Sequence, residues 1–241
     1  MSPYQAKSGN SASSPAKAVE SAGSPEFEKL IADTLFEGVF LRVKRKKQWE
    51  YVERCNTSGI VAILAITDKS ELILVEQFRV PVNKWVIEIP AGLAGDIKGK
   101  ENETLNEAAK REFLEETGYQ AQRMEYLAEG PSSAGLLTEV ITFFRAAELK
   151  KVSKGGGDES ENIQVHVVPL VGLKPWIASK LKEGCLVDFK IYAALFFEFD
   201  NEKRLTEYDK GHTKTARTRP ESLARQHHSR SAQQRDAKPV H

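Results

Sequence analysis

Residues Trp85 to Tyr119 read WVIEIPAGLAGDIKGKENETLNEAAKREFLEETGY. The second half of this stretch sets Arg111, Glu112, Glu115 and Glu116 just before Gly118, and the pattern predicts a helix that begins near Thr104. Residues three and four apart on a helix share a face, so Glu112, Glu115 and Glu116 are expected to point the same way. Carboxylates gathered in this manner repel one another, which costs a bare helix some stability. They also lie toward the helix C-terminus, where the macrodipole disfavours negative charge. A divalent cation removes both penalties. Hard oxygen ligands without a nearby His or Cys suit Mg²⁺ or Mn²⁺ better than zinc or copper. Mg²⁺ completes its shell with water and substrate phosphates, which points to a phosphate-containing substrate. The plainer reading of the same residues is a solvated acidic helix face.

From Glu103 onward the stretch resembles the Nudix box, G-x5-E-x7-R-E-U-x-E-E-x-G-U with U an aliphatic or aromatic residue. Glu103, Arg111-Glu112, Phe113, Glu115-Glu116, Gly118 and Tyr119 fall on the pattern in order. The departure is upstream, where Gly92 precedes Glu103 by ten intervening residues instead of five. Gly95 to Lys100 therefore reads as an insertion in the loop before the helix. The resemblance implies an α/β fold, a Nudix-type α/β/α sandwich with a mixed β-sheet, preceded here by an N-terminal β-hairpin region.

Outside the box the chain is similar to the branch that hydrolyses ADP-ribose and other nucleoside diphosphate sugars. Val75 to Arg79 matches a strand of that branch, which implies that Arg79 contacts substrate phosphates; a planar guanidinium bonds phosphate oxygens bidentately. A structural ion pair is the other role open to Arg79. Gly130 to Glu139, GPSSAGLLTE, resembles the branch's pocket loop with its Pro displaced, and brings Glu139 in as a substrate-binding candidate. Trp49 and Glu50 fall where the branch places an aromatic that stacks on the base and an acid that bonds to it, although Trp49 also suits a half-buried strand position. The acidic loop Gly155 to Asn162 reads as a mobile connection, and the resemblance makes Glu159 the general base, with Glu161 as helper or outer metal ligand. It also implies metal ligation by Glu112, Glu116 and the Ala91 carbonyl, with Glu115 nearby. Arg111 then orients the helix acids. Homodimers are implied by resemblance alone. Two alternatives stand beside hydrolysis of nucleoside diphosphate sugars: a Nudix-fold module that binds a nucleotide without cleaving it, and a hydrolase of dinucleotides or capped RNA.

The remaining sequence sets bounds. A length of 241 residues allows one large or two small domains, and the formal net charge of +1 argues against a dedicated polyanion binder. Cys55 and Cys185 lie far apart and form no metal or redox spacing, which suits a reducing cytoplasm. The apolar runs Gly59 to Ile66 and Ile191 to Phe199 fall short of the roughly 20 residues that span a bilayer, so no membrane partner is expected. Residues 1–27 carry little to bury and read as a disordered leader, with Gly23 to Phe27 resembling a vector linker. Residues 28–57 read as an N-terminal β region, in which Phe36 to Lys44 and Gln48 to Arg54 form a hairpin. Residues 58–202 make the catalytic domain. Strands are expected at Gly59 to Thr67, Glu71 to Phe78, Val86 to Ile89, Gln122 to Glu129, Thr138 to Ala146 and Ile163 to Val168. Two further helices are expected near Lys174 to Glu183 and Asp188 to Phe199. Residues 203–241 read as a polar, disordered tail; without interleaved aromatics it offers no platform for nucleic acid.

Overall fold

The computed structural model describes residues 30–157 and 162–208, and of residues 200–208 it describes the backbone alone. The strands are β1 (Asp33–Glu37), β2 (Leu41–Lys46), β3 (Trp49–Arg54), β4 (Gly59–Ala65), β5 (Glu71–Arg79), β6 (Lys84–Glu88), β7 (Ala91–Ala94), β8 (Tyr119–Pro131), β9 (Val140–Lys151), β10 (Gln164–Pro169) and β11 (Leu186–Val187). The helices are α1 (Leu105–Thr117), α2 (Leu173–Lys182) and α3 (Phe189–Tyr208). Two units divide the chain between Ala194 and Leu195, and the site described below belongs to the first.

The α/β architecture with mixed sheets follows the sequence expectation, but the strands form two four-stranded sheets in place of one. Their orders are β7-β4-β9-β8 and β10-β5-β6-β11, and each combines one parallel pair with two antiparallel pairs. The interior strands β4 (GIVAILA) and β5 (ELILVEQFR) carry the continuous apolar runs Ile60 to Ala65 and Leu72 to Val75, as strands covered on both faces require. Helix α1 lies on the first sheet against β7, β4 and β8, and α2 packs against β10 and β11 of the second. Phe113, fully buried, anchors α1 in a cluster with Val61, Ile63, Ala108, Met124 and Phe144.

Local chemistry fixes where α1 begins and ends. Thr104 Oγ1 accepts from the Glu107 amide at 3.2 Å while a Glu107 carboxylate oxygen accepts from the Thr104 amide at 2.9 Å, a reciprocal capping box. Gly118 closes the helix in the left-handed region, with φ of 70°.

Three expectations are corrected. Phe36 to Lys44 is two strands, because the Gly38 amide donates to the Leu41 carbonyl across a tight turn and splits the run. The N-terminal region is therefore the three-stranded sheet β1-β2-β3, of which the hairpin is part. Strand β7 falls in a small-residue segment that lacks β propensity and forms by pairing Ala91 to Ala94 with Ala62 to Gly59 of β4. Helix α3 runs to Tyr208, past Phe199 where the expected helix stopped and into residues 203–208 of the expected tail. The leader 1–27 and residues 209–241 of the expected tail lie outside the described residues. Among the described residues, no helix is long and apolar enough to cross a membrane.

Phe113→Ala removes the largest side chain of the core under α1 and should cost about 3–5 kcal/mol of unfolding free energy. Urea denaturation followed by circular dichroism measures it.

Candidate active site

The site is built where α1 meets β7. Glu112 and Glu116, one helical turn apart, both turn toward the strand. The Leu93 amide donates to Glu112 Oε1 at 3.2 Å, and the Ala91 amide donates to Glu116 Oε2 at 3.1 Å. This approach needs glycine at position 92, because a Cβ there would lie 2.0 Å from the Glu112 carboxylate carbon. Glu116 is 4% exposed. Glu115 departs from the expected common face: its side chain is 51% exposed, at the solvent rim.

Arg111 gathers the acids. It holds Glu103 through two bonds, Nε to Oε1 at 3.0 Å and Nη2 to Oε2 at 2.9 Å. Nη1 donates to Glu112 at 2.8 Å and to Glu115 at 3.3 Å, and Nη2 donates to the Leu93 carbonyl at 2.9 Å. Asp96, brought by the longer loop before α1, lies 3.7 Å from Nη2. The Arg111 hydrogen bonds hold the Glu103 carboxyl below its ordinary range. Burial has the opposite effect on Glu112, pushing it up to about 7 although Arg111 beside it pulls the other way.

Arg79 sits at the end of β5 and pairs with Glu88 of β6, Nε to Oε1 at 2.6 Å and Nη2 to Oε2 at 3.0 Å. Glu88 is 2% exposed. These bonds raise the Arg79 guanidinium above its ordinary value, and Glu116 is close enough to add to the effect. The ion-pair role is thus present, at the edge of the acid cluster. Glu88 escaped the sequence reading, although an acid within the apolar run Val86 to Ile89 was the available signal.

Trp49 opens a cleft of about 300 Å³ whose opposite wall is the loop Ala134 to Thr138. Lys46 and Tyr51 share Trp49's side of it, and Trp49 itself is 52% exposed. The helix acids do not line this cleft. Glu50 is exposed on β3. Glu139 is turned away to Arg54, which donates to it at 2.6 Å, and to the Ser132 hydroxyl at 3.1 Å. Arg54 gave no signal in the sequence, since its partner lies 85 residues away.

Glu159 and Glu161 lie outside the described residues. The segment that leads to them docks on the end of α1: the Gly156 amide donates to the Glu116 carbonyl at 2.8 Å and the Gly157 amide to the Glu115 carbonyl at 3.1 Å. The first part of this loop, expected to be mobile, is therefore held, and its glycines serve close backbone approach.

The donor set at α1 fits a hard divalent cation. It offers a buried and a half-buried carboxylate, Glu116 and Glu112, on successive turns, a strand backbone beside them, and one guanidinium facing more acids than it neutralises. Among the described residues no three acids converge into a preformed cage, so substrate or water oxygens would complete the shell.

A family profile described as NUDIX domain matches residues 57–195. The chain is 39% identical over 123 residues to the methanol dehydrogenase activator of Bacillus methanolicus, covering 51% of this chain and 64% of that protein, just under two thirds of its length. It is 36% identical over 145 residues to the ADP-ribose pyrophosphatase of Bacillus subtilis (strain 168), covering 60% of this chain and 74% of that one. The crystal structure of an ADP compounds hydrolase superposes with a TM-score of 0.54 at 22% identity, covering 72% of this chain and 92% of that chain, and shares the fold.

Two outcomes follow from the geometry. Gly92→Ala should displace the Glu112 carboxylate and weaken Mn²⁺ binding, measured by titration calorimetry, while the circular dichroism of the fold persists. The Glu112 carboxyl, ordinarily at 4.5, binds its proton more tightly in the folded protein, so its stabilising contribution is complete below that value and is lost as pH rises through about 7. In chelator, the melting temperature should fall across that window, and Glu112→Gln should flatten the fall.

Proposed function

Because this chain belongs to the Nudix family and is a pyrophosphohydrolase of that family, we propose that it hydrolyses the pyrophosphate bond of ADP-ribose or a related nucleoside diphosphate sugar with Mg²⁺, or Mn²⁺ in its place. The observation that carries the proposal is the pair Glu112 and Glu116, held by strand amides on successive turns of α1 beside Arg79. The likeness to an ADP-ribose pyrophosphatase supports the substrate class.

In this reading Glu112, Glu116 and the Ala91 carbonyl hold the cation, with Glu115 at the rim. A bound Mg²⁺ neutralises charge on the pyrophosphate and acidifies a water molecule. Arg111 keeps Glu112 and Glu115 in place through its bonds to both. Arg79, positioned by Glu88, meets the phosphate oxygens. Glu159 takes the proton from the water that attacks phosphorus, with Glu161 assisting. Trp49 stacks on the base within the cleft it lines and Glu50 bonds to it, while Glu139, engaged by Arg54 and Ser132, holds the loop that shapes the pocket. The products are a nucleoside monophosphate and a sugar phosphate: AMP and ribose 5-phosphate from ADP-ribose. A homodimer belongs to the same proposal and rests on the family resemblance.

The test is product analysis with Mg²⁺ against ADP-ribose, GDP-mannose, ADP-glucose, a diadenosine polyphosphate and a nucleoside triphosphate. Selective release of a nucleoside monophosphate from one of the first three is expected, and release only from the last two overturns the substrate class. Glu116→Gln should leave a folded protein with activity lowered by about 10²-fold or more; an unchanged rate sinks the metal assignment. Glu159→Gln should lower turnover on the order of 10²- to 10⁴-fold, as loss of a general base does.

A further inference from the structure

We propose that Lys46 selects the base, donating to the O6 and N7 edge of guanine so that guanine nucleoside diphosphate sugars bind better than adenine ones; this rests on the reading of the Trp49 cleft as the base site. The β2-β3 hairpin turns through Lys47 and Gln48, with Lys47 in the left-handed region at φ of 55°. Its register sets Lys46 opposite Trp49, Lys44 opposite Tyr51 and Arg42 opposite Glu53. Alternate residues of a strand share a face, so these three pairs line one side of the hairpin.

Charge on that side is matched except at the turn. Glu53 takes Arg42 at 3.3 Å and Lys44 at 3.6 Å, and on the other side Asp33 takes Arg45 at 3.1 Å. Lys46 meets an aromatic ring in place of an acid, and among the described residues it enters no ion pair. It is half-buried and lines the cleft, whose other lining residues carry no charge. The Cβ atoms of directly opposite residues lie about 4.5–5.5 Å apart. The edge of a ring stacked on Trp49 is therefore within reach of the flexible four-carbon stem of Lys46.

The loop wall has its amides committed elsewhere. Those of Leu136 and Leu137 donate to the Ser133 carbonyl at 3.0 and 2.9 Å, and that of Thr138 donates to the Val52 carbonyl at 3.1 Å. The Val52 amide donates in turn to the Leu136 carbonyl at 2.8 Å, which fixes the loop to β3 and leaves the cleft preformed. Discrimination between bases then falls to Lys46. An ammonium offers three donors and no acceptor. Guanine presents N7 and O6 side by side, both acceptors, whereas adenine sets its N6 amino donor beside N7. Stacking on Trp49 does not separate the two, since every base has a π-face. The cation favours O6 and opposes the amino group.

The experiment measures the dissociation constants of GDP, IDP and ADP on the full chain by titration calorimetry in chelator. These nucleotides share ribose and pyrophosphate and differ in the base alone. GDP and IDP, which both carry O6, should bind about tenfold more tightly than ADP. Lys46→Met should weaken GDP and IDP about tenfold and change ADP less than about twofold, erasing the preference. Lys46→Arg, which keeps the charge and the donors, should retain it. Equal weakening of all three by Lys46→Met marks a phosphate contact and overturns the proposal. Unchanged dissociation constants with a lowered melting temperature overturn it as well, since they mark a lysine whose stem only covers Trp49. So does native protein that binds the three alike. Trp49→Ala should weaken all three together; unchanged binding in that variant overturns the base-site reading, and the proposal with it.

Discussion

Carboxylates pressed against strand backbone are the contact on which this site depends. Glu112 occupies the space that any side chain at position 92 would need, and the amides of Leu93 and Ala91 hold Glu112 and Glu116 in place. So close an approach requires small residues on both surfaces, supplied by Ala91, Gly92 and Ala94 on the strand and Ala108 and Ala109 on the helix. Phe113 then sets the depth of the helix from below. Burial raises the cost of charge on Glu112, and only a partner of opposite sign offsets that cost. The core and the chemistry are thus tied together, since the packing that stabilises α1 is also what desolvates its acid.

The distribution of charge around this contact is uneven. One guanidinium, Arg111, faces Glu103, Glu112, Glu115 and Asp96. Across the site Arg79 is matched by a buried carboxylate, Glu88, with Lys190 3.8 Å from the same acid. The helix side therefore holds an excess of negative charge and the β5 edge a balanced pair. A polyanionic substrate would meet repulsion on one side unless a cation came with it, which is why acid surplus and phosphate chemistry belong together. Such local conflict with stability is a mark of functional surfaces.

The loop after β9 shows how a glycine run can be misjudged. Gly155, Gly156 and Gly157 are permissive residues, and mobility is the natural inference from them. The structure uses the same permissiveness for close packing on the helix end.

What the sequence by itself determined was local. The helix start near Thr104, the ending at Gly118 and the one-turn spacing of Glu112 and Glu116 follow from helix geometry, which relates residues only a few positions apart. The interior strands β4 and β5 were legible because burial on both faces demands an unbroken apolar run. Tertiary structure decided everything that joins distant residues. It split the strands into two sheets, made a strand of Ala91 to Ala94, turned Glu115 outward, and gave Arg79, Glu139 and the Thr117 carbonyl their partners in Glu88, Arg54 and Lys151. Those pairings join residues 9, 85 and 34 positions apart. No propensity or periodicity encodes them, because packing of the whole layer sets which side chains meet.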